Sequence, residues 1–117
     1  MHMIKIKRVY ENSSTDDGFR ILVDKLWPRG VSKEKANLDL WVKEVAPSDN
    51  LRKCFSHDPR KWKEFKRRYE MELKNKHNVL NKIKDIEKEN NIITLIYSAK
   101  DENHNNAVVL ENILEQM

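Results

Sequence analysis

In a chain of 117 residues of which 36% are charged, one stretch is almost continuously apolar: Ile92-Ile93-Thr94-Leu95-Ile96-Tyr97. An apolar run of this length, rich in β-branched residues, fits a strand covered on both faces, as at the centre of a parallel sheet. Parallel neighbours need a crossover connection, so the run points to an α/β layer. The β-branched and aromatic content of Phe19-Arg20-Ile21-Leu22-Val23-Asp24-Lys25-Leu26-Trp27 favours a second strand over a short helix, ended by Pro28, which pushes the residue before it to extended geometry. Ile4-Lys5-Ile6-Lys7-Arg8-Val9 alternates apolar and basic residues, the period of a half-buried strand near a sheet edge. Its connection to the second strand is too short for an ordinary crossover helix, which leaves an antiparallel direction open to it.

Between the second strand and the apolar run the pattern is helical. Residues 39–46 read as a short helix packing Leu40, Trp41 and Val45. Ser48 or Asp49 caps another short helix carrying Leu51 and Phe55. Asp58-Pro59 is a helix start, with Asp58 as N-cap and Pro59 in the first turn. Trp62, Phe65, Tyr69 and Leu73 then recur at helical spacing, and Leu80, Ile83 and Ile86 continue the stripe until Asn90-Asn91. A last helix presents Ala107, Leu110, Ile113 and Leu114 inward. The expected architecture is α/β: a small sheet with at least two parallel strands packed by helices, in one domain over 1–117.

Composition narrows the function classes. No apolar run approaches the roughly 20 residues that span a bilayer, and the N-terminal stretch lacks the apolar centre of a signal peptide. The single cysteine, Cys54, cannot form an internal disulfide, so a cytoplasmic setting is expected. With only Gly18 and Gly30, the glycine-rich loops that cradle nucleotide phosphates are excluded, so no cofactor is expected. Cys54, His57 and Asp58 are half of a metal site that no second cluster completes, and no metal is expected either. Basic charge concentrates in residues 60–90, where eleven Lys and Arg stand against six Asp and Glu. That stripe is either a polyanion or nucleic-acid surface centred on a basic helix over 60–76, or a solvated face with acids and bases paired three and four apart.

In open α/β sheets ligands bind beyond the carboxyl ends of the strands. Two segments meet there if the second strand and the apolar run are parallel: Trp27-Pro28-Arg29-Gly30, and Tyr97-Ser98-Ala99-Lys100-Asp101 running into Glu102-Asn103-His104-Asn105-Asn106. Arg29 is suited to clamp a phosphate or carboxylate and Lys100 to add a point charge. Trp27 and Tyr97 would line the site, with Arg20, Ser98, Asn105 and Asn106 as further ligand contacts. Asp24 and His104 are the acid–base candidates. The plain alternatives are a structural ion pair for the charges on the second strand and a helix-capping role for Asp101. The site is thus read as a small-anion site, with or without turnover.

The blocks Arg8-Val9-Tyr10, the run from Asp17-Gly18-Phe19 to Trp27-Pro28-Arg29-Gly30, Leu51-Arg52-Lys53, and Thr94-Leu95-Ile96-Tyr97-Ser98-Ala99-Lys100-Asp101 with His104-Asn105-Asn106-Ala107 resemble the YeaO-like branch of the family of unknown function 488. The resemblance covers essentially the whole chain. It implies a compact bacterial or archaeal cytoplasmic α/β domain and no particular activity. Members of the wider family often carry a Cys-His-Arg-like triplet at the start of the last helix. The corresponding residues here are His104-Asn105-Asn106, without the thiol or the guanidinium.

Overall fold

The computed structural model describes residues 2–117, and Met1 lies outside the described residues. The apolar run forms β4 (Ile92–Tyr97), flanked by β1 (Met3–Arg8) and β2 (Phe19–Leu22), with a two-residue strand β3 (Leu40–Trp41) outside β2. The sheet order is β1-β4-β2-β3 and every pairing is parallel. Arg20 lies opposite Thr94 and Ile21 opposite Leu95, so the expected parallel pairing of the second strand with the apolar run is present.

β1 is parallel too, which corrects the antiparallel option. The reason is that β4 inserts between β1 and β2, so residues 9–18 need only cross the width of one strand. This connection carries a 3-10 turn (Thr15–Asp17) rather than a crossover helix. It passes so close to β4 that a Cβ on Gly18 would sit 2.2 Å from the Ile92 carbonyl oxygen, and Gly18 adopts φ +63°. Only glycine meets both conditions.

The two faces of the sheet are unequal. Ile21, Val23, Ile93, Leu95 and Tyr97 point into the main core, which they share with Leu51, Phe55, Phe65, Tyr69, Leu73, Leu80, Ile83, Leu110 and Leu114. Those residues belong to α2 (Asp49–Phe55), α3 (Trp62–Leu73), α4 (His77–Asn90) and α5 (Asn106–Glu115). α4 and α5 lie on the sheet, and α3 packs against α5 and α2. The alternate residues Leu22 and Ile96 face a smaller core with Val9, Val31 and Ala36, closed by Trp27, Leu38 and Trp41. A one-turn helix, α1 (Lys33–Ala36), covers that side.

The helix starts follow local chemistry. Ser48 accepts a hydrogen bond from the Leu51 N–H and is held in place by Glu72, to which its own N–H donates at 2.9 Å and its hydroxyl at 2.6 Å. Asp58 accepts from the Arg60 N–H, and the 3-10 turn Pro59–Lys61 leads into α3. The helix read over 39–46 is instead β3 followed by a 3-10 turn (Lys43–Val45). The open edge of β2 decides this: Asp39 and Val42 donate their N–H groups to the Arg20 and Leu22 carbonyls, both at 2.9 Å.

Candidate ligand-binding site at the carboxyl ends of the strands

Because β2 and β4 are parallel, the segments that follow them leave the sheet at the same rim. The ladder runs one residue further, with the Val23 N–H donating to the Ile96 carbonyl at 3.1 Å. Beyond it the chain bends through residues 24–30 on one side and 98–105 on the other. A third wall comes from the end of α2 and the turn after it. Asp49 fastens this wall to the first, pairing with Lys25 at 3.1 Å and Arg52 at 2.7 Å. Together they enclose a hollow of about 650 Å³, lined among others by Asp24, Trp27, Arg29, Lys53, Phe55, His57, Ser98, Asn105 and Asn106.

Among the described residues, Asp24 is the one carboxylate lining the hollow. Its Oδ2 accepts from the Ser98 N–H at 2.9 Å and the Ser98 hydroxyl at 2.8 Å. Its Oδ1 accepts from Asn106 Nδ2 at 3.1 Å, which also donates to the Val23 carbonyl. Burial pushes this carboxyl above its usual range, opposed by the bonds from Ser98 and Asn106 and by the charge of His57. Asp24 therefore ties the two loops together at the base of the site.

The Trp27 ring is fixed. Its Nε1 donates to the Val31 carbonyl at 2.7 Å, and it meets Trp41 edge-on at 5.5 Å between centroids. Trp41 in turn donates to the Asp24 carbonyl oxygen at 2.7 Å. The Arg29 backbone is anchored by the Tyr10 hydroxyl, 2.9 Å from its carbonyl oxygen, while the Arg29 side chain stands exposed. Among the described residues neither the Arg29 guanidinium nor the Lys53 ammonium makes an ion pair, whereas Lys25 and Arg52 share Asp49.

Of the residues singled out from sequence, Asp24, Trp27, Arg29, Ser98, Asn105 and Asn106 line the hollow together. Asn105 is also the N-cap of α5, accepting from the Val108 N–H and donating to the Asp101 carbonyl, so its side chain is committed to the loop. The other four lie elsewhere. Arg20 is 2% exposed on the opposite face near the start of β2. It donates to Asp17 at 2.6 Å and to the Ala36 and Asn37 carbonyls. Tyr97 points into the main core, as its odd register with Ile93 and Leu95 requires. Lys100 is exposed on the outer side of the loop and does not line the hollow. His104 turns towards α3: its Nδ1 is 2.9 Å from Asp101 and its ring meets Trp62 edge-on at 5.2 Å. The bond with His104 holds the Asp101 carboxyl below its usual range. Asp101 does not cap α5; it closes the turn before it by accepting from the Asn103 and His104 N–H groups.

His57, Arg52 and Lys53 line the hollow without having been anticipated there. Ser56 and His57 are two consecutive non-glycine residues with positive φ, 47° and 57°, and this tight reversal brings the imidazole to the rim. The available signal was the basic pair Arg52-Lys53 on a short capped helix beside Phe55, which buries against Phe65 at 4.4 Å. Cys54 is exposed, and among the described residues no group of three His, Cys, Asp or Glu converges to hold a metal ion. Among the described residues no helix is long and apolar enough to cross a membrane.

A parallel α/β domain with a cationic hollow at the carboxyl rim is thus the class of molecule that fold and site define. Residues 3–117 match the family described as "Inactive DUF488-N3 subclade", and the chain belongs to it. It is 41% identical over 114 residues to the uncharacterised protein YeaO of Escherichia coli K12, covering 97% of this chain and 98% of that one. Over 70 residues it is 44% identical to the uncharacterised proteins Mb3100c of Mycobacterium bovis and Rv3073c of Mycobacterium tuberculosis, covering 60% of this chain and 59% of each of those. No solved structure matches.

Proposed function

We propose that this chain is a binding domain for a small anion, a phosphate or carboxylate, held without turnover at the carboxyl ends of β2 and β4. One observation carries the reading. Arg29 and Lys53 stand on separate walls of one hollow with no acid paired to either among the described residues, beside a tryptophan ring locked by its own hydrogen bond. Unpaired cations at a concave, partly apolar site favour an anionic guest. The family's description as inactive supports binding rather than catalysis. His104 lies outside the hollow, so the acid–base pair of Asp24 with His104 is not assembled there. The lone thiol supports a reducing, cytoplasmic setting.

The polyanion alternative rests on α3 and its flanks. There Arg60 pairs with Asp58 and Arg67 with Glu64, while Lys61 and Lys76 donate to the Cys54 and Ala46 carbonyls. Two of the eight basic residues in 60–76 are thus matched by an acid, the pairing at short spacing that the solvated-face reading expects.

The test is a thermal-shift and calorimetric titration with inorganic phosphate and short carboxylates, run on the parent and on Arg29→Ala. Ligands should raise the melting temperature of the parent, and the variant should bind at least tenfold more weakly. Equal responses from both would overturn the assignment. Oligonucleotide binding that falls steeply with salt and survives Arg29→Ala would move the function to α3.

A further inference from the structure

We infer that the hollow selects a hydroxylated organic phosphate, a monoester of a ring polyol, over bare phosphate or an apolar phosphate ester. This rests on the anion-site reading above and names its ligand class. The argument begins at Asp24. A carboxylate has about four lone-pair positions. Its Oδ2 holds two donors and its Oδ1 only one, Asn106, so one acceptor position remains on a residue that lines the hollow. An oxyanion brought there offers only lone pairs and a like charge. A hydroxyl offers the missing donor and no charge.

Size leads the same way. At ~30 Å³ per water, about 650 Å³ is the space of some twenty waters, so a bare phosphate leaves most of the hollow unfilled. The walls divide the work: Arg29 and Lys53 suit a dianionic phosphoryl group, the fixed Trp27 face suits the carbon skeleton, and Asp24 at the base takes the hydroxyl.

Three probes separate the possibilities: inorganic phosphate, cyclohexyl phosphate and inositol 1-phosphate. The last two share a ring and an ester and differ in hydroxyls. Calorimetric titration of the intact chain should give inositol 1-phosphate at least tenfold tighter binding than cyclohexyl phosphate, the scale of one hydrogen bond to a charged group. Asp24→Asn should shrink that preference to threefold or less. If the two esters bind the parent equally, or the hydroxylated one more weakly, the inference fails. The anion-site reading still stands in that case, provided phosphate binding is lost in Arg29→Ala. If none of the three probes binds, the inference fails, and the anion-site reading fails with it unless a short carboxylate binds the parent and is lost in Arg29→Ala. A folded Asp24→Asn that keeps the tenfold preference removes Asp24 from the account. If that variant does not fold, the comparison of the two esters on the parent decides alone.

Discussion

Arg20 and Asp24 stand four residues apart, at the start of β2 and just past its end, and their surroundings differ in kind. Around Arg20 every charge is answered. Its guanidinium donates to Asp17 and to two carbonyls, Lys7 adds a second cation at 3.1 Å from Asp17, and the Thr94 hydroxyl donates to the Asp17 carbonyl at 2.6 Å. Around Asp24 the carboxylate is bonded, but the cations facing it across the hollow are not all matched. Buried polar groups that are fully satisfied hold a fold together. A rim that leaves charges unanswered beside a fixed ring is what the proposed anion site requires. The same chain thus uses charge as a fastener at one end of a strand and leaves it unpaired at the other.

The strongest way to break this contrast is Arg20→Met. Losing the guanidinium leaves Asp17, itself only 5% exposed, with Lys7 and the Ser14 N–H, takes the Arg20 donors from the Ala36 and Asn37 carbonyls, and should cost about 1–3 kcal/mol in urea denaturation. A loss under about 1 kcal/mol would show that the Asp17 cluster is not a fastener.

A smaller effect is expected on acidification. Burial raises the Asp17 carboxyl, but the bonds from the Ser14 N–H, Lys7 and Arg20 together outweigh it and bring it below its ordinary 3.8. A depressed acid contributes stability that is fully present above that ordinary value and is lost as pH falls through the folded-state value. The melting temperature should therefore decline below about pH 4, and less steeply in Asp17→Asn. Parallel declines would assign the acid sensitivity elsewhere. The smallest effect sharpens the other side: Arg29→Ala, exposed and unpaired, should change stability by no more than about 0.5 kcal/mol. A larger loss would make Arg29 structural and remove the contrast.

What the chain discloses before folding follows from which forces are local. The strand nature of β4 was legible because six consecutive residues carry it, and the starts at Ser48 and Asp58 because a cap needs only its own turn. The direction of β1 was not, since it depends on a strand more than 80 residues later sliding in beside it. β3 was misread because Leu40, Trp41 and Val45 fit one helical face, and only the unfilled edge of β2 makes extension the better choice. In the hollow, the residues that directly follow β2 and β4 could be named from the parallel rule alone. Lys53 and His57 could not, because their position depends on how Phe55 docks against Phe65. Arg20 and His104 were drawn to the rim by residue type, while strand parity sends the first to the other face and the Asp101 turn swings the second towards Trp62.

The placement of β4 bears on how the molecule is made. Of the four strands it follows the others in sequence, yet it lies inside the sheet, with β1 on one side and β2 on the other. Until residues 92–97 are in place, β1 and β2 have open edges and nothing between them, so the sheet cannot close earlier. For that interval the chain presents unpaired strand edges, the exposure through which mispairing with another chain begins.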